Sequence, residues 1–349
     1  TLHAIIRDNI RYPESSMGDL RAQIAACRRG VRRLGEVYDR YGSQTVEAAM
    51  ATIYRETELR CRQVVEGLPD GVYEAESWYD DDSIKAGEPI RLHAKVTISG
   101  SDMSIDLSGC ASQRVGGINS RTLAAARVAY KALTEPSAPV NEGSFNALET
   151  IIPEGNVMMA QFPAPMGGWS LIVPTVVDTI FKALAGAAPD RIPAAHHGLL
   201  GGSVVFLGKD PKTGTNFVLQ SLEGGGWGGR PFEDGESASV SVCQGNVKNS
   251  PIESMEIKTP VMVERRSLRV DSGGPGKFRG GLGIDVQVKN LVEGKWNMAR
   301  PRRRKCPPWG LNGGGLGGGA EYFLKLPDNE DFQSIDQVMR SVPPGSQVI

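Results

Sequence analysis

The chain reads as an α+β protein, a helical hairpin followed by a β-rich mixed core with glycine-rich loops. Three observations predict this. Apolar residues recur at helical spacing through the first 65 residues, and a period of two takes over near residue 90. Many of the 43 glycines then crowd between short apolar runs from 198 to 319.

In the first region, Leu20, Ile24, Cys27, Val31, Leu34, Tyr38 and Tyr41 alternate in steps of four and three. That spacing puts them on one stripe of a helix over 17–41, with Gly42 as its C-terminal cap. Val46, Met50, Ile53, Thr57, Cys61 and Val64 mark a second helix over about 45–65. The pair predicts an antiparallel hairpin with a scaffolding role or a subunit contact. Pro69, Asp70 and Gly71 then turn the chain, and residues 90–100 and 103–109 alternate as half-buried strands joined through Gly100 and Ser101. An alanine-rich helix is expected over 120–134 and a strand and turn over 145–156. A buried helix is expected over 173–190, opened by Pro174 and closed near Gly186. GSVVFLG and FVLQSLEG form a strand pair across DPKTGT. After 222, short strands alternate with glycine loops. The resulting segments are 1–68, 69–221 and 222–349, one module of a larger subunit.

Composition narrows the function classes. Charged residues are 23% and apolar residues 40%, with a net charge of −1, so there is no global attraction to nucleic acid or anionic membrane. No apolar run approaches the roughly 20 residues of a membrane span. The opening TLHAIIRDNIRYP lacks an initiator Met and a signal-peptide layout, and reads as the middle of a longer chain. Cys27, Cys61, Cys110, Cys243 and Cys306 are odd in number and form no CxxC, which favours a reducing compartment over a disulfide framework or zinc ribbon.

The glycine runs fail the standard phosphate-loop tests. No GxGxxG lies between a strand and a helix as a dinucleotide site requires. In the run before GKF, Asp271 replaces the first Walker glycine and Phe278 the Ser or Thr. GGLGIDVQV approximates a calcium-binding nonapeptide, but a single copy cannot stack. What remains is a set of glycine loops bracketed by ionisable residues. Glu223, Asp234, Glu256 and Asp271 are the candidate catalytic carboxylates, as general acids or bases. Gly224, Gly225, Gly226, Arg230 and Arg279 are the candidate substrate-binding residues, through backbone N–H groups and guanidinium charge. A tightly turned β core with its charges paired is the alternative. His93 reads as structural. His196 and His197, on opposite faces if on a strand, make an awkward metal pair. The run Arg300, Arg302, Arg303, Arg304, Lys305 is a solvated loop, a nucleic-acid patch or, in preference to the latter, a phosphate-binding edge.

Seven stretches in order resemble one family: NIRYPESSMGDLRAQIAA, DLSGCASQRVGGIN, IIPEGN, LEGGGWGGRPFEDGE, NSPIESMEIKTPV, DSGGPGKFRGGLG and RRRKCPPWGLNGGGLG. The chain is similar to the B-type subunit of hydantoinases, to the C-terminal half of 5-oxoprolinases and to the matching subunit of acetone and acetophenone carboxylases. The resemblance implies a cytoplasmic hetero-oligomer in which an A-type ATPase subunit phosphorylates a small-molecule substrate using ATP. The B-type subunit then completes hydrolysis of a cyclic amide (hydantoin, 5-oxoproline or lactam) or carboxylation of a ketone. A non-catalytic scaffold subunit is the third possibility. The resemblance also implies a divalent metal. The family's upstream His/Asp motifs, its glycine-rich tail and an ATPase signature are all missing here, so most metal ligands are expected outside this chain. Neither a membrane nor a nucleic acid is an expected partner.

Overall fold

A computed structural model describes residues 1–10, 13–199, 202–245, 247–298, 303–336 and 339–349. Arg300 and Arg302 of the basic run lie outside the described residues. The chain divides into two compact units, residues 1–59 with 141–144, and residues 60–140 with 145–349.

The first unit is helical. It holds α1 (Leu2–Asp8), α2 (Pro13–Tyr41) and most of α3 (Ser43–Glu66). Gly42, at φ +77°, separates α2 from α3 in the left-handed conformation that glycine adopts without strain. The two helices do not pack along their lengths, which corrects the expected antiparallel hairpin. Val31, Leu34 and Tyr41 of the α2 stripe are accordingly exposed, since an apolar stripe does not by itself specify which element covers it. On α3, buried Thr57 receives a hydrogen bond from Asn141 Nδ2 at 3.0 Å, tying in the short 141–144 segment.

The second unit carries three sheets. β1 (Gly71–Tyr79), β2 (Ile90–Ser99), β3 (Asp102–Asp106) and β4 (Leu148–Ile151) form the first in that order, with β3 and β4 parallel and the other pairs antiparallel. On β2 the buried positions are Ile90, Leu92, Ala94, Val96 and Ile98, the period of two that the sequence displays. α5 (Val173–Leu184) lies against β1 and β2, and α4 (Ala124–Thr134) packs on α5. α5 is apolar nearly all round and buried nearly throughout, so its one acid, Asp178, needs an internal partner.

β5 (Gly202–Lys209) and β6 (Asn216–Glu223) form the antiparallel pair expected across residues 210–215. α6 (Ile252–Lys258) is a helix with no counterpart in the strand-and-loop expectation for this region. It precedes β7 (Val261–Leu268), β8 (Ile284–Asn290), β9 (Gly294–Met298), β10 (Phe323–Lys325), β11 (Gln333–Ser334), β12 (Met339–Val342) and β13 (Gln347–Val348). Two antiparallel sheets result, in the orders β11-β10-β13-β8-β7 and β12-β9-β5-β6. Phe206 and Trp296, ring centroids 4.6 Å apart, are fully buried in their shared core. The α+β class therefore holds. No helix among the described residues is long and apolar enough to cross a membrane.

Candidate functional site

The glycine runs pack backbone against backbone. A Cβ on Gly226 would lie 1.9 Å from the carbonyl oxygen of Gly281, and one on Gly281 would lie 1.9 Å from that of Glu236. Only a residue without a side chain fits either place. The same closeness consumes the amides. Gly225 N–H donates to Ser239 O, Gly280 to Gly274 O, Gly281 to Trp227 O, Gly315 to Pro275 O and Gly318 to Ser272 O. These N–H groups build the wall and are not available to an anion.

The walls enclose a cavity of about 510 Å³. Residues 192–199, which leave α5, form its floor. Ala194 N–H bonds to Gly229 O, Ala195 N–H to Trp309 O and His197 N–H to Gly226 O, at 2.9–3.1 Å. This stitching sets the two histidines behind and beside the glycine run. His196 is buried: Nδ1 lies 2.8 Å from both carboxylate oxygens of Asp178, and Nε2 lies 3.3 Å from Ser241 Oγ. The order Asp, His, Ser has the form of a nucleophile relay. Ser241, however, is buried and does not line the cavity, so the relay braces the floor and presents no attacking hydroxyl. The opposite-face placement of the His pair is conditional on a strand, and that condition is not met. Residues 196 and 197 are in no strand, and their rings meet edge-on at 4.8 Å.

His197 lines the cavity, and its Nε2 is buried without a hydrogen-bond partner among the described residues. Burial, His196 and the Arg303 charge together hold its pKa well below the ordinary value. A Cβ on Gly225 would meet its Cγ at 2.4 Å, so the ring lies flush on the glycine run.

Arg303 is 1% exposed and also lines the cavity. Its Nη1 reaches Trp78 O only at 3.5 Å, and its Nε and Nη2 have no partner among the described residues. Trp309 stacks 5.2 Å from the guanidinium. The solvated-loop reading of the basic run fails at this residue, while Arg304, half-exposed and 3.5 Å from Asp336, fits it.

Of the residues singled out from sequence, Glu223, Gly224, Gly225, Gly226 and Arg230 line the cavity. Glu223 is gripped by Arg266 and Ser221, and Arg230 pairs with Glu233 at 2.6 Å. Asp234, Glu256, Asp271 and Arg279 do not line it. Asp234 accepts the Arg279 backbone N–H at 2.7 Å, and Glu256 accepts that of Val263 at 2.8 Å. Asp271 is exposed, at φ +55°. Asp178, His196, His197, Arg303, Trp227 and Trp309 were the residues that spacing did not reveal. The adjacent histidines, the basic run that contains Arg303 and the glycine-rich stretches around the two tryptophans were their signals. No three His, Cys, Asp or Glu side chains converge as a metal site among the described residues. With both Asp178 oxygens at His196 Nδ1 and no such cluster among the described residues, this floor does not fit a metal centre.

The cavity, walled by glycine and two tryptophans, has the size of pockets that hold small molecules. The chain belongs to the hydantoinase B/oxoprolinase family, whose profile matches residues 1–349. It is 33% identical over 339 residues to a protein of Pseudomonas sp. (strain NS671) named as the B-type subunit of a D-/L-hydantoinase, covering 93% of this chain and 56% of that one. The ATP-dependent caprolactamase from Pseudomonas jessenii superposes with a TM-score of 0.87 at 26% identity, covering 99% of this chain and 62% of that one. An acetone carboxylase shares the fold, with a TM-score of 0.85 at 16% identity over 99% of this chain and 53% of that one. The chain thus spans little more than half the length of these relatives.

Proposed function

We propose that the chain is part of the B-type subunit of an ATP-dependent enzyme that opens a cyclic amide of the hydantoin, 5-oxoproline or lactam kind by hydrolysis. The observation that carries this reading is the glycine-walled cavity lined by Trp227 and Trp309, which suits a flat, ring-sized polar molecule. Relatives named for hydantoinase, caprolactamase and 5-oxoprolinase activity act on rings of that kind. In the reaction the ring C–N bond breaks, water oxygen joins the carbonyl carbon and the nitrogen leaves protonated. An amide is a poor electrophile, and transfer of the ATP γ-phosphoryl group to its oxygen by an A-type ATPase partner, with ADP leaving, would improve it. C–N cleavage then leaves an acyl phosphate, from which a second water releases phosphate and the free carboxylate. Arg230 and the tryptophans then bind and orient the ring, and the tethered Glu223 sets its register at the wall. ATP, and a divalent metal whose ligands lie mostly outside this chain, belong to the rest of the enzyme, which this reading makes a cytoplasmic hetero-oligomer. The exposed apolar stripe of α2 supports a partner surface.

The test uses the full complex with ATP. One reaction contains hydantoin, 5-oxoproline or caprolactam, and another contains a ketone with labelled bicarbonate. Ring opening without label incorporation is expected. Label in an acid product would replace the hydrolase by a carboxylase, and no ATP-dependent turnover of either would leave a scaffold subunit.

A further inference from the structure

The cavity contains a buried charge that has no ion-pair partner among the described residues, although Asp178 and Asp80 act on it from farther away. Among the described residues four basic side chains line the cavity, Arg230, Arg269, Lys277 and Arg303, against the one carboxylate of Glu223. Three of the five are already neutralised by pairing: Arg230 with Glu233, Arg269 with Glu321, and Glu223 with Arg266. Lys277 is exposed, where water solvates it. Arg303 is the exception. It is buried, yet no carboxylate lies within ion-pair distance among the described residues. The nearby acids are committed elsewhere. Asp178 gives both oxygens to His196. Asp80 accepts the backbone N–H groups of Arg304 and Cys306 at 2.9 Å.

A buried guanidinium without an ion-pair partner is strongly unfavourable, because burial removes the water that would solvate its N–H groups. The unpartnered atoms are also the informative ones. Nε and Nη2 form the edge of the guanidinium whose two N–H bonds run parallel and fit the two oxygens of a carboxylate or phosphoryl group. Gly198, at φ +67°, leaves room beside that edge, since a Cβ there would stand 3.0 Å from Nε. The unpartnered Nε2 of His197 lines the same cavity.

We infer that Arg303 is an oxyanion seat, holding a phosphoryl or carboxylate group of the bound small molecule across its Nε–Nη2 edge. The seat would supply the missing counter-charge only when the cavity is occupied. Binding would therefore be strong for an anion and weak for its neutral isostere. The seat does not depend on which reaction the enzyme performs.

The test measures binding of inorganic phosphate and of acetate to the full complex at low ionic strength, by calorimetry and by the fluorescence of Trp309, whose ring covers the guanidinium. Saturable binding is expected for at least one of the two ions. Tighter phosphate identifies a phosphoryl group as the natural occupant, and tighter acetate a carboxylate. Arg303→Lys keeps the charge and loses the fork, and should weaken binding about tenfold. Arg303→Met should abolish it. If the Met variant does not fold, the Lys variant and the ligand-induced rise in the wild-type melting temperature decide. Absence of saturable binding of either ion, or unchanged affinity in Arg303→Lys, would overturn the seat. Phosphate held through Arg303 in an enzyme that carboxylates ketones would keep the seat and remove the hydrolase reading. Ring opening with no anion binding would do the reverse.

Discussion

The imidazole of His196 stands with Nδ1 2.8 Å from both oxygens of Asp178, in the buried floor of the cavity. Val242 N–H donates to His196 Nε2 at 3.4 Å, which makes Nδ1 the protonated nitrogen and Asp178 its acceptor. The pair fixes the ring against which His197 and Trp227 rest, at centroid distances of 4.8 and 5.5 Å. Asp178→Ala strands a buried N–H and should lower stability by about 3 kcal/mol in urea denaturation. Asp178→Asn keeps one oxygen as acceptor and should cost clearly less. Equal losses in the two variants would show that helix packing, not the hydrogen bond, is what Asp178 supplies.

The backbone contacts of the glycine walls leave less room for adjustment. Gly226→Ala and Gly281→Ala each force a methyl group into a carbonyl oxygen 1.9 Å away. Neither neighbour is a flexible side chain, so each substitution should cost about 3 kcal/mol or more. Gly30→Ala is the counterpart. Gly30 lies within α2 with open space where its Cβ would be, and the change should stabilise the protein by about 1 kcal/mol. Melting temperatures of the three variants check the pattern. Equal tolerance at 30, 226 and 281 would contradict the close packing.

What could be read from sequence follows the range of each interaction. β2 and β3 were legible because alternation is local and the turn at Gly100 is short. α5 was legible for similar reasons, from its apolar length and Pro174. The packing of α2 was not legible, because a stripe specifies that a face is apolar and leaves its partner open. At the cavity, glycine density located the wall, and Glu223 with Gly224, Gly225, Gly226 and Arg230 lie on it. The floor escaped because it joins Asp178, His196, Ser241 and Arg303 across more than a hundred residues. No spacing rule spans that distance. Asp234 and Glu256 looked like catalytic carboxylates because a composition cannot distinguish an acid that caps a backbone N–H from one that faces a ligand.

The cysteines separate by burial. Desolvation pushes the Cys110 thiol up to about 11 and that of Cys243 up to about 12. Cys110 Sγ also bonds to His93 O at 3.2 Å. Both thiols stay protonated at neutral pH and should be slow to alkylate, since the thiolate is the nucleophile. Cys27 is exposed on α2 and should react first. Iodoacetamide labelling followed by peptide mass spectrometry checks the order. Cys110 and Cys243 should be labelled only after unfolding. Modification of either at the rate of Cys27 in the native protein would mean that the core around that thiol opens.

His197 makes stability depend on pH. Burial, His196 and the Arg303 charge hold its folded-state pKa well below the ordinary value of 6.5. Above that value the residue is neutral in both folded and unfolded chains and contributes no pH dependence. As the pH falls below 6.5 the unfolded chain takes up a proton that the folded chain refuses. Unfolding therefore gains, and stability is lost, down to the depressed folded-state pKa, with a limiting slope of about 1.4 kcal/mol per pH unit. His197→Gln should remove this slope. Urea denaturation at pH 7.5 and 5.5 provides the comparison. The wild type should lose more stability between the two than the variant. An equal loss would mean that the folded protein protonates His197 as readily as water-exposed imidazole, and that the cavity floor is wetter than its packing implies.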